Sequence, residues 1–349
     1  MKTDTPVVKD IVLVGGGHAH VSVLRMFGMG PMPGVRLTLI TRDIHTPYSG
    51  MLPGYVAGHY DFDEVHIDLG PLARFAGARL YHGEVNGIDP GERLVHVPGR
   101  PPVHYDLLSI NTGSRPRTID VPGALQHALP VKPIDQWLRD WQTLRTRVLN
   151  SQSDFRILVV GGGAGGVELA LSTQHHLKGL VREQGDQAVR LQYELFTDGR
   201  EILPTHNAGV RRRFIRVLDE RGITVHLNSK VISVEPEGLR LENGDFHPAD
   251  AVLWVTYAAA PEWPGKSGLA VDREGFIAVD RNLRSISHPE VFAAGDIASM
   301  PDPRPKSGVF AVRQGPVLSE NLRRAVAGRP LKPYRPQKRF LGLISTGDT

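Results

Sequence analysis

The stretch Ile157-Leu-Val-Val-Gly-Gly-Gly-Ala-Gly-Gly-Val-Glu-Leu-Ala170 decides the fold of this chain. A β-branched apolar run enters a glycine-rich turn, and apolar residues then resume at helical spacing, which predicts a strand, a phosphate-binding loop and a helix. Gly161 allows the tight turn, Gly163 lets the backbone approach a pyrophosphate, and Gly166 lets the helix pack closely on the strand. Free N–H groups at the helix start, at Ala164, favour an anionic ligand.

A near-copy of this stretch, Asp10-Ile-Val-Leu-Val-Gly-Gly-Gly-His-Ala-His-Val21, lies close to the N-terminus. The two loops together predict two bound dinucleotides. His20 stands where the pattern has its last glycine, and His18 precedes it. Either histidine could contact a pyrophosphate, or both could be polar residues that face solvent at a helix start, and the sequence leaves this open. The binding residues predicted at this loop are Gly15, Gly17, His18, Ala19 and His20.

The composition limits the protein class. The chain has 349 residues, a formal net charge of +4 and no cysteine. Its length allows two or three domains, and the absence of cysteine excludes disulfides, cysteine-ligated metals and a redox-active cysteine pair. Basic residues are spread rather than clustered, which argues against nucleic acid, and no apolar run is long enough to span a membrane. We therefore expect a cytoplasmic protein without a metal site, at most peripheral to the inner face of a membrane, that can form a homodimer.

Further elements follow the two loops. The segment His45–Tyr55 is rich in turn-forming residues and predicts an irregular loop that lines a pocket. Ser307–Arg324 predicts a helix with a kink or a break at Pro316. The tail from Lys338 to Ser345 predicts a strand without a partner in the sequence.

Two more motifs complete a recognisable set. Asn111-Thr-Gly-Ser114 ends an apolar strand, and Val291-Phe-Ala-Ala-Gly-Asp296 is a strand followed by a turn. With the two glycine loops, they resemble the flavoprotein family with two dinucleotide-binding domains, which includes glutathione-reductase-like enzymes, ferredoxin reductases and type II NADH dehydrogenases. In that family the first loop binds FAD and the second binds NAD(P)H, and Asp296 would hold the ribitol hydroxyls.

The resemblance implies an α/β fold with two three-layer, Rossmann-like domains, in which the FAD domain is interrupted by an inserted NAD(P)H domain. The expected boundaries are 1–125 and 278–325 for the FAD domain, 126–277 for the NAD(P)H domain and 326–349 for the start of a truncated C-terminal segment. Outside the first glycine loop, the implied cofactor-binding residues are Asp43, Pro53, Val85, Thr112, Gly113, Gly161, Gly163, Ala164, Gly166, Asp198, Gly295, Asp296, Gly308 and Val309.

A narrower resemblance rests on three further stretches: His18–His20, Tyr48–Gly54 and Phe340–Asp348. They are similar to the flavoprotein that is fused to selenide, water dikinase in some microbes, itself similar to type II NADH dehydrogenases. In both groups the chain continues beyond this point, so we expect either a fragment of a longer protein or one that lacks the function of that segment.

The resemblance implies hydride transfer from nicotinamide to flavin. Lys306 and the helix start at Gly308 could stabilise a reduced flavin, although a solvated loop lysine is an equal alternative for Lys306. Glu168 matches a glutamate near the nicotinamide and flavin of type II NADH dehydrogenases. Its alternative is an acid in the first helical turn, favoured by the helix dipole alone. Gln314 lies on the helix where those enzymes place quinone-site residues.

We therefore expect an FAD-dependent NAD(P)H dehydrogenase that passes electrons to a quinone-like or other small acceptor without redox cysteines. Two alternatives remain: a redox- or nucleotide-sensing module that serves a partner, in selenium metabolism for example, and a reductase of an electron-carrier protein. Asp198 favours NADH because an acid there would bind the ribose hydroxyls, whereas Arg200 could accept the 2′-phosphate of NADPH.

Overall fold

A computed structural model describes residues 6–116, 121–185, 189–256, 258–337 and 341–348, with the backbone alone for Pro116 and Asp135. The described strands are, in chain order, β1 (Lys9–Val14), β2 (Val35–Thr41), β3 (His45–Pro47), β4 (His66–Asp68), β5 (Arg79–His82), β6 (Gly87–Asp89), β7 (Leu94–His96), β8 (Val103–His104), β9 (Leu107–Ile110), β10 (Arg115–Pro116), β11 (Leu129–Pro130), β12 (Phe155–Val160), β13 (Leu191–Phe196), β14 (Ile223–His226), β15 (Val231–Glu235), β16 (Gly238–Leu241), β17 (Phe246–Pro248), β18 (Ala251–Trp254), β19 (Ala258–Ala259), β20 (Ile277–Ala278), β21 (Val291–Ala293) and β22 (Ala298–Ser299).

The described helices are α1 (His18–Met29), α2 (Leu52–Ala57), α3 (Phe62–Val65), α4 (Leu69–Phe75), α5 (Ala124–His127), α6 (Ile134–Leu149), α7 (Ala164–Glu183), α8 (Ala208–Glu220), α9 (Trp263–Lys266) and α10 (Gly308–Val326), with a 3-10 turn at Gly295–Ile297. The chain forms two compact units. Unit 1 comprises Met1–Tyr48, His66–Arg115 and Ala259–Arg339, and unit 2 comprises Ser49–Val65, Pro116–Ala258 and Phe340–Thr349.

Unit 1 is built on a five-stranded sheet in the order β21-β9-β1-β2-β5, in which every pairing is parallel. Alternate residues of β1 point to opposite faces of the sheet. Ile11 and Leu13 pack with the apolar side chains of α1, α4 and α10. Val12 and Val14 pack on the other face with residues of β6, β7 and β20. The result is three layers, with helices on one face and small sheets on the other.

Unit 2 repeats this plan with a parallel five-stranded sheet in the order β11-β18-β12-β13-β14. Ile157 and Val159 pack with α2, α6, α7 and α8 on one face. Leu158, Val160 and Phe196 pack on the other face beneath an antiparallel sheet of β15, β16 and β17. The α/β class with two layered domains, which the sequence predicts, is confirmed.

The parallel register decides where polar residues gather in each unit. The carboxyl ends of neighbouring parallel strands lie at one edge of a sheet. In unit 1 this edge carries the first glycine loop after β1, Asn111 after β9 and Gly295 after β21. In unit 2 it carries the second glycine loop after β12 and Thr197 after β13.

Three expectations about local structure are wrong. The segment His45–Tyr55 is not irregular, because β3 pairs with β4 and α2 begins at Leu52. Helix α10 has no break at Pro316 and runs from Gly308 to Val326, since Leu318 and Leu322 keep the helix packed on the unit 1 core, whereas a kink there stays a prediction. The tail forms no strand over 341–348, and residues 338–340, where the predicted strand begins, lie outside the described residues.

Candidate functional site

The first glycine loop is shaped by a close approach of Asn111. Gly15 has φ +92°, and a Cβ at this position would lie 2.5 Å from the carbonyl oxygen of Asn111. A Cβ on Gly17 would lie 2.4 Å from Asn111 Oδ1. Both distances are below any real Cβ contact, so glycine is required at both positions of this loop.

Asn111 also connects three segments through its side chain, which is buried. Its Oδ1 accepts hydrogen bonds from the backbone N–H of Ala19 at 3.1 Å and of His20 at 3.3 Å. Its Nδ2 donates to the carbonyl oxygen of Ala294 at 2.6 Å. Asn111 begins the Asn111–Ser114 motif, which resembles the family's Ala-Thr-Gly link with asparagine in place of alanine, and the sequence predicted no role for it. An amide in place of a methyl group was the available signal, because a buried amide needs several partners.

Both expectations for His20 are wrong. The side chain neither faces solvent nor points at a ligand, because it is completely buried. Its Nδ1 lies 2.6 Å from the carbonyl oxygen of Gly15, and its Nε2 lies 2.8 Å from Ser109 Oγ. A carbonyl only accepts, so Nδ1 carries the hydrogen and Nε2 accepts from Ser109. Burial lowers the pKa of His20 to about 4, which keeps the ring neutral. The neutral ring supports the first glycine loop through its two hydrogen bonds.

His18 is the first residue of α1 and lies beside Tyr48, with the ring centroids 5.5 Å apart. Its Nε2 is buried and has no hydrogen-bond partner within the described part of the chain. Burial lowers the pKa of His18, so the ring is neutral near pH 7. A neutral imidazole with an unpaired buried nitrogen can bond to a ligand at this helix start.

A cavity of about 250 Å³ lies in unit 1 at the same sheet edge. Its lining includes Asp296, Lys306, Ser307 and Gln314. Ser114 Oγ donates to Asp296 Oδ2 at 3.0 Å, which fixes one carboxylate oxygen. Ser307 caps α10 without a side-chain hydrogen bond, so the backbone N–H groups of Gly308 and Val309 open the helix at the cavity wall.

Lys306 is not a solvated loop lysine. Its Nζ donates to the carbonyl oxygen of Ala298 at 2.7 Å and lies 3.8 Å from the centre of the Phe276 ring. Burial lowers its pKa, while the Asp296 carboxylate acts in the opposite direction. The ammonium therefore sits in a partly apolar wall of the cavity, where a nearby negative charge would be stabilised strongly.

Gln314 uses both ends of its amide inside unit 1. Its Oε1 accepts from the backbone N–H of Gly295 at 2.6 Å, and its Nε2 lies 3.6 Å from the sulfur of Met300. The amide fixes the turn that presents Asp296. Contact of Gln314 with an electron acceptor stays a prediction.

The other residues predicted to bind the first dinucleotide are spread over both units. Asp43 forms a partly exposed ion pair with Arg42, with 2.7 Å between Oδ2 and Nη2. Val85 is buried in the unit 1 core, and Thr112 is exposed beside Gly113, whose φ is +75°. Pro53 is buried in the first turn of α2, in unit 2.

The second glycine loop has the tighter backbone. A Cβ on Gly161, at φ +133°, would lie 2.2 Å from the carbonyl oxygen of Val255, and one on Gly166 would lie 1.8 Å from that of Gly161. A Cβ on Gly163 would meet nothing within 4 Å. Ala164 begins α7 directly after this open position. The loop therefore presents bare backbone to solvent at a helix start, as a pyrophosphate requires.

Glu168 is the fifth residue of α7 and lies beyond the first turn, so the dipole explanation for this acid is wrong. Its Oε1 accepts from the backbone N–H of Ser345 at 2.9 Å. Burial raises the pKa of Glu168 to about 7, and the bond from Ser345 only partly opposes this shift. The carboxyl group is thus poised to hold or release a proton near neutral pH.

The segment that covers Glu168, residues 341–348, lies along α7 within unit 2. Ile344 packs against the apolar core of the unit, and the carbonyl oxygen of Gly347 lies 2.8 Å from His59 Nε2. Arg221 pairs with Asp348. Phe340, the first residue of the Phe340–Asp348 motif, lies outside the described residues. The other residues of that motif lie along α7.

The loop after β13 carries the residues expected to select the nicotinamide cofactor. Thr197 is buried, and its Oγ1 accepts from the backbone N–H of Gly199 at 3.2 Å. Asp198 and Arg200 are both exposed. The turn therefore carries one acidic and one basic residue, both exposed.

Residues 9–315 match the pyridine nucleotide-disulphide oxidoreductase family, and the chain belongs to it. It is 24% identical to the NADH dehydrogenase-like protein YutJ of Bacillus subtilis, over 97% of this chain and 90% of the relative. It is 27% identical to the probable ferredoxin reductase CtmF of Castellaniella defragrans, over 94% and 76%. The fold is similar to that of NDH2 from Plasmodium falciparum in complex with NADH, with a TM-score of 0.76, 18% identity and coverage of 84% of this chain and 65% of that chain.

These findings confirm the resemblance to NADH dehydrogenase-like flavoproteins, and the protein is a flavin-dependent NAD(P)H oxidoreductase. The narrower resemblance to the flavoprotein fused to selenide, water dikinase stays a prediction. Within the described residues, no helix is long and apolar enough to cross a membrane.

Proposed function

We propose that this chain takes a hydride from NADH onto FAD and passes the electrons to a quinone-like or other small acceptor without cysteine chemistry. One observation carries the proposal. Each unit has a glycine loop that opens a helix at the carboxyl edge of its own parallel sheet, in a chain with no cysteine. A cysteine pair, which disulfide reductases need, is therefore absent.

Unit 1 fits FAD. Gly15 and Gly17 leave bare backbone beside α1, and the N–H groups at the helix start favour a pyrophosphate. The unpaired Nε2 of His18 would bond to the same group, and Asp296 would accept from ribitol hydroxyls at the cavity. The unexplained buried nitrogen of His18 is the observation that most directly calls for a ligand here.

Unit 2 fits NAD(P)H. Gly163 leaves space in front of α7 where a pyrophosphate would lie, and Gly161 and Gly166 hold the turn. Asp198 would accept from the ribose hydroxyls of NADH and would repel the 2′-phosphate of NADPH. The exposed Arg200 acts in the opposite sense, so the ratio of kcat/KM for the two cofactors tests the preference, which we expect to favour NADH.

The two cofactors, when bound, supply the hydride chemistry, and the protein supplies binding, alignment and charge. Lys306 and the first N–H groups of α10 would stabilise negative charge that develops at the cavity. Glu168 would hold a proton on its carboxyl group below about pH 7 and release it above. Gln314 would fix the Gly295 turn so that Asp296 keeps its position.

Anaerobic reduction tests the proposal. The purified protein should be yellow. When NADH is added, its flavin absorbance should bleach within a single turnover of the enzyme. A screen of quinones and other small acceptors should then restore the colour rapidly with at least one of them. Flavin that stays oxidised under excess NADH and NADPH would refute the proposed function.

Similarity to the probable ferredoxin reductase CtmF supports a second candidate, a reductase of an electron-carrier protein. The flavin would still bleach with NADH, but only an iron–sulfur protein would give rapid turnover. A sensing module that serves a partner would bleach without rapid turnover with either kind of acceptor. The same screen therefore separates the three.

The predicted homodimer and the contact with a membrane surface have separate tests. Sedimentation velocity of the purified chain should give twice the monomer mass if the dimer forms. Flotation with anionic vesicles should carry the protein upward if it binds the membrane surface.

A further inference from the structure

Three side chains that can bind a metal converge in unit 2, outside the second glycine loop. Glu194 lies on β13, His226 ends β14, and His247 lies on β17. One ligand atom from each lies within 4.8 Å of the other two, and they form the one such group of three among the described residues. No metal site was expected from the sequence, and the three residues lie on separate strands without a recognisable spacing.

The strand register explains why they meet. Phe196 pairs with His226 across the parallel strands β13 and β14. Glu194 is two residues before Phe196 and therefore points to the same face of the sheet. The antiparallel sheet that includes β17 packs over this face and brings His247 to the other two.

The contacts of the three side chains are already close to those of a metal centre. His226 Nε2 lies 2.7 Å and His247 Nδ1 lies 3.3 Å from the same oxygen, Glu194 Oε2. Ligand atoms of a tetrahedral Zn²⁺ with bonds of about 2.0–2.1 Å lie about 3.3 Å apart. The His226–Glu194 contact would have to open by about 0.6 Å to reach that spacing, and the ligand nitrogens of His226 and His247 lie within 4.8 Å of each other.

Phe196 holds both imidazoles in place from below. Its buried ring stacks on His226, with centroids 4.4 Å apart and planes 6° apart. It also meets His247 edge-on at 4.8 Å. Ligand rings that are fixed by packing lose little freedom when a metal binds, and each of the three side chains keeps about a quarter of its surface exposed for the ion to enter.

We propose that Glu194, His226 and His247 form a binding site for Zn²⁺. Two neutral imidazoles and one carboxylate are a common donor set for this ion, and water would complete the coordination. The ion would join β13 and β14 of the five-stranded sheet to β17 of the small sheet. It would also brace the loop at Asp198, because the N–H of Thr197 donates to the carbonyl oxygen of His226 at 3.0 Å.

The test is a zinc titration of the full chain after removal of metal with a chelator. Zn²⁺ is titrated in competition with a chromophoric chelator, and the free protein is expected to bind one equivalent. His226→Gln, His247→Gln and Glu194→Gln are each expected to weaken binding at least about tenfold. His127→Gln, an exposed histidine of the same unit outside the cluster, should bind like the wild type.

Co²⁺ gives an independent readout. Cobalt with nitrogen and oxygen ligands in a tetrahedral site absorbs at longer wavelengths than flavin, and this band should appear with the wild type and with His127→Gln but not with the cluster variants. Zn²⁺ should also raise the melting temperature of the wild type and of His127→Gln, but not of the cluster variants. Absence of stoichiometric binding, or equal binding by all variants, would show that the cluster is only a histidine–carboxylate contact. Flavin content and circular dichroism identify a variant that fails to fold, and Glu194→Gln, which keeps side-chain size, then decides.

Discussion

His20 shows how one residue can change its meaning between sequence and structure. At the position of a family glycine, it supports the first loop by accepting from Ser109 and donating to Gly15. Ser109→Ala would leave Nε2 buried without a donor, which costs about 1–3 kcal/mol. Urea unfolding of unit 1, followed by flavin release, should show this loss. Ser153→Ala, at an exposed site, is the control. An equally small effect of both changes would contradict the supporting role of the His20–Ser109 hydrogen bond.

The titration of His20 gives a second prediction. Its pKa is lowered from 6.5 to about 4 in the folded protein, so the unfolded chain binds a proton in this range that the folded chain does not. Stability should therefore fall as the pH drops from about 6.5 to 4, by up to about 3 kcal/mol from this residue. His20→Asn removes the titrating group. Its unfolding free energy, measured against pH beside the wild type, should lack this part of the slope, and parallel curves would refute the assignment.

Glu168 should set the pH profile of flavin reduction. Burial raises its pKa to about 7, so the carboxyl group is neutral below and charged above that pH. Glu168→Gln mimics the neutral form, and its rate of anaerobic reduction by NADH should lose the wild-type transition near pH 7. Glu183→Gln, at the exposed end of the same helix, should keep the transition. A transition that persists in Glu168→Gln would assign it to another group.

At the scale of elements, the segment over α7 explains the environment of Glu168. Gly347 has φ +82°, and a Cβ here would lie 3.0 Å from the carbonyl oxygen of Leu171. Gly347→Ala should loosen the segment at a cost of about 1–2 kcal/mol, because both the backbone and the contact are strained. Exposure of Glu168 would then move its transition in the reduction profile toward lower pH.

Gly222→Ala is the matched control for that change. Gly222 also has a positive φ, +70°, but a Cβ there would meet nothing within 4 Å. Gly222→Ala should cost a similar amount of stability through backbone strain. It should leave the pH of the Glu168 transition unchanged. If both variants shift the transition equally, the contact with α7 does not govern this acid.

At the scale of the whole molecule, the proposed function assigns FAD to the first glycine loop and NADH to the second. Gly163 is open, so Gly163→Leu should fold and keep its flavin, while KM for NADH rises at least about tenfold, or about 1.4 kcal/mol. In Gly17→Ala the new Cβ would clash with Asn111, and this variant should lose its flavin instead. Flavin content by absorbance and KM by initial rates separate the two effects. Loss of flavin in Gly163→Leu would overturn the division.

The fold class, the two glycine loops and the exclusion of cysteine chemistry follow from the sequence without the structure. These features are local, because glycine spacing and apolar periodicity act within a single strand, turn and helix. The continuous helix through Pro316 and the helical start at Leu52 could not be predicted in this way, since packing against distant residues overrides local preference.

The contacts of individual side chains, by contrast, depend on the tertiary structure. Asn111 meets the first loop because β9 lies beside β1, and Ser345 meets Glu168 because the tail returns to α7. Glu194, His226 and His247 meet because one sheet packs over another. The burial that sets the pKa of His20 and Glu168 comes from such long-range contacts. No local pattern in the chain carries that information.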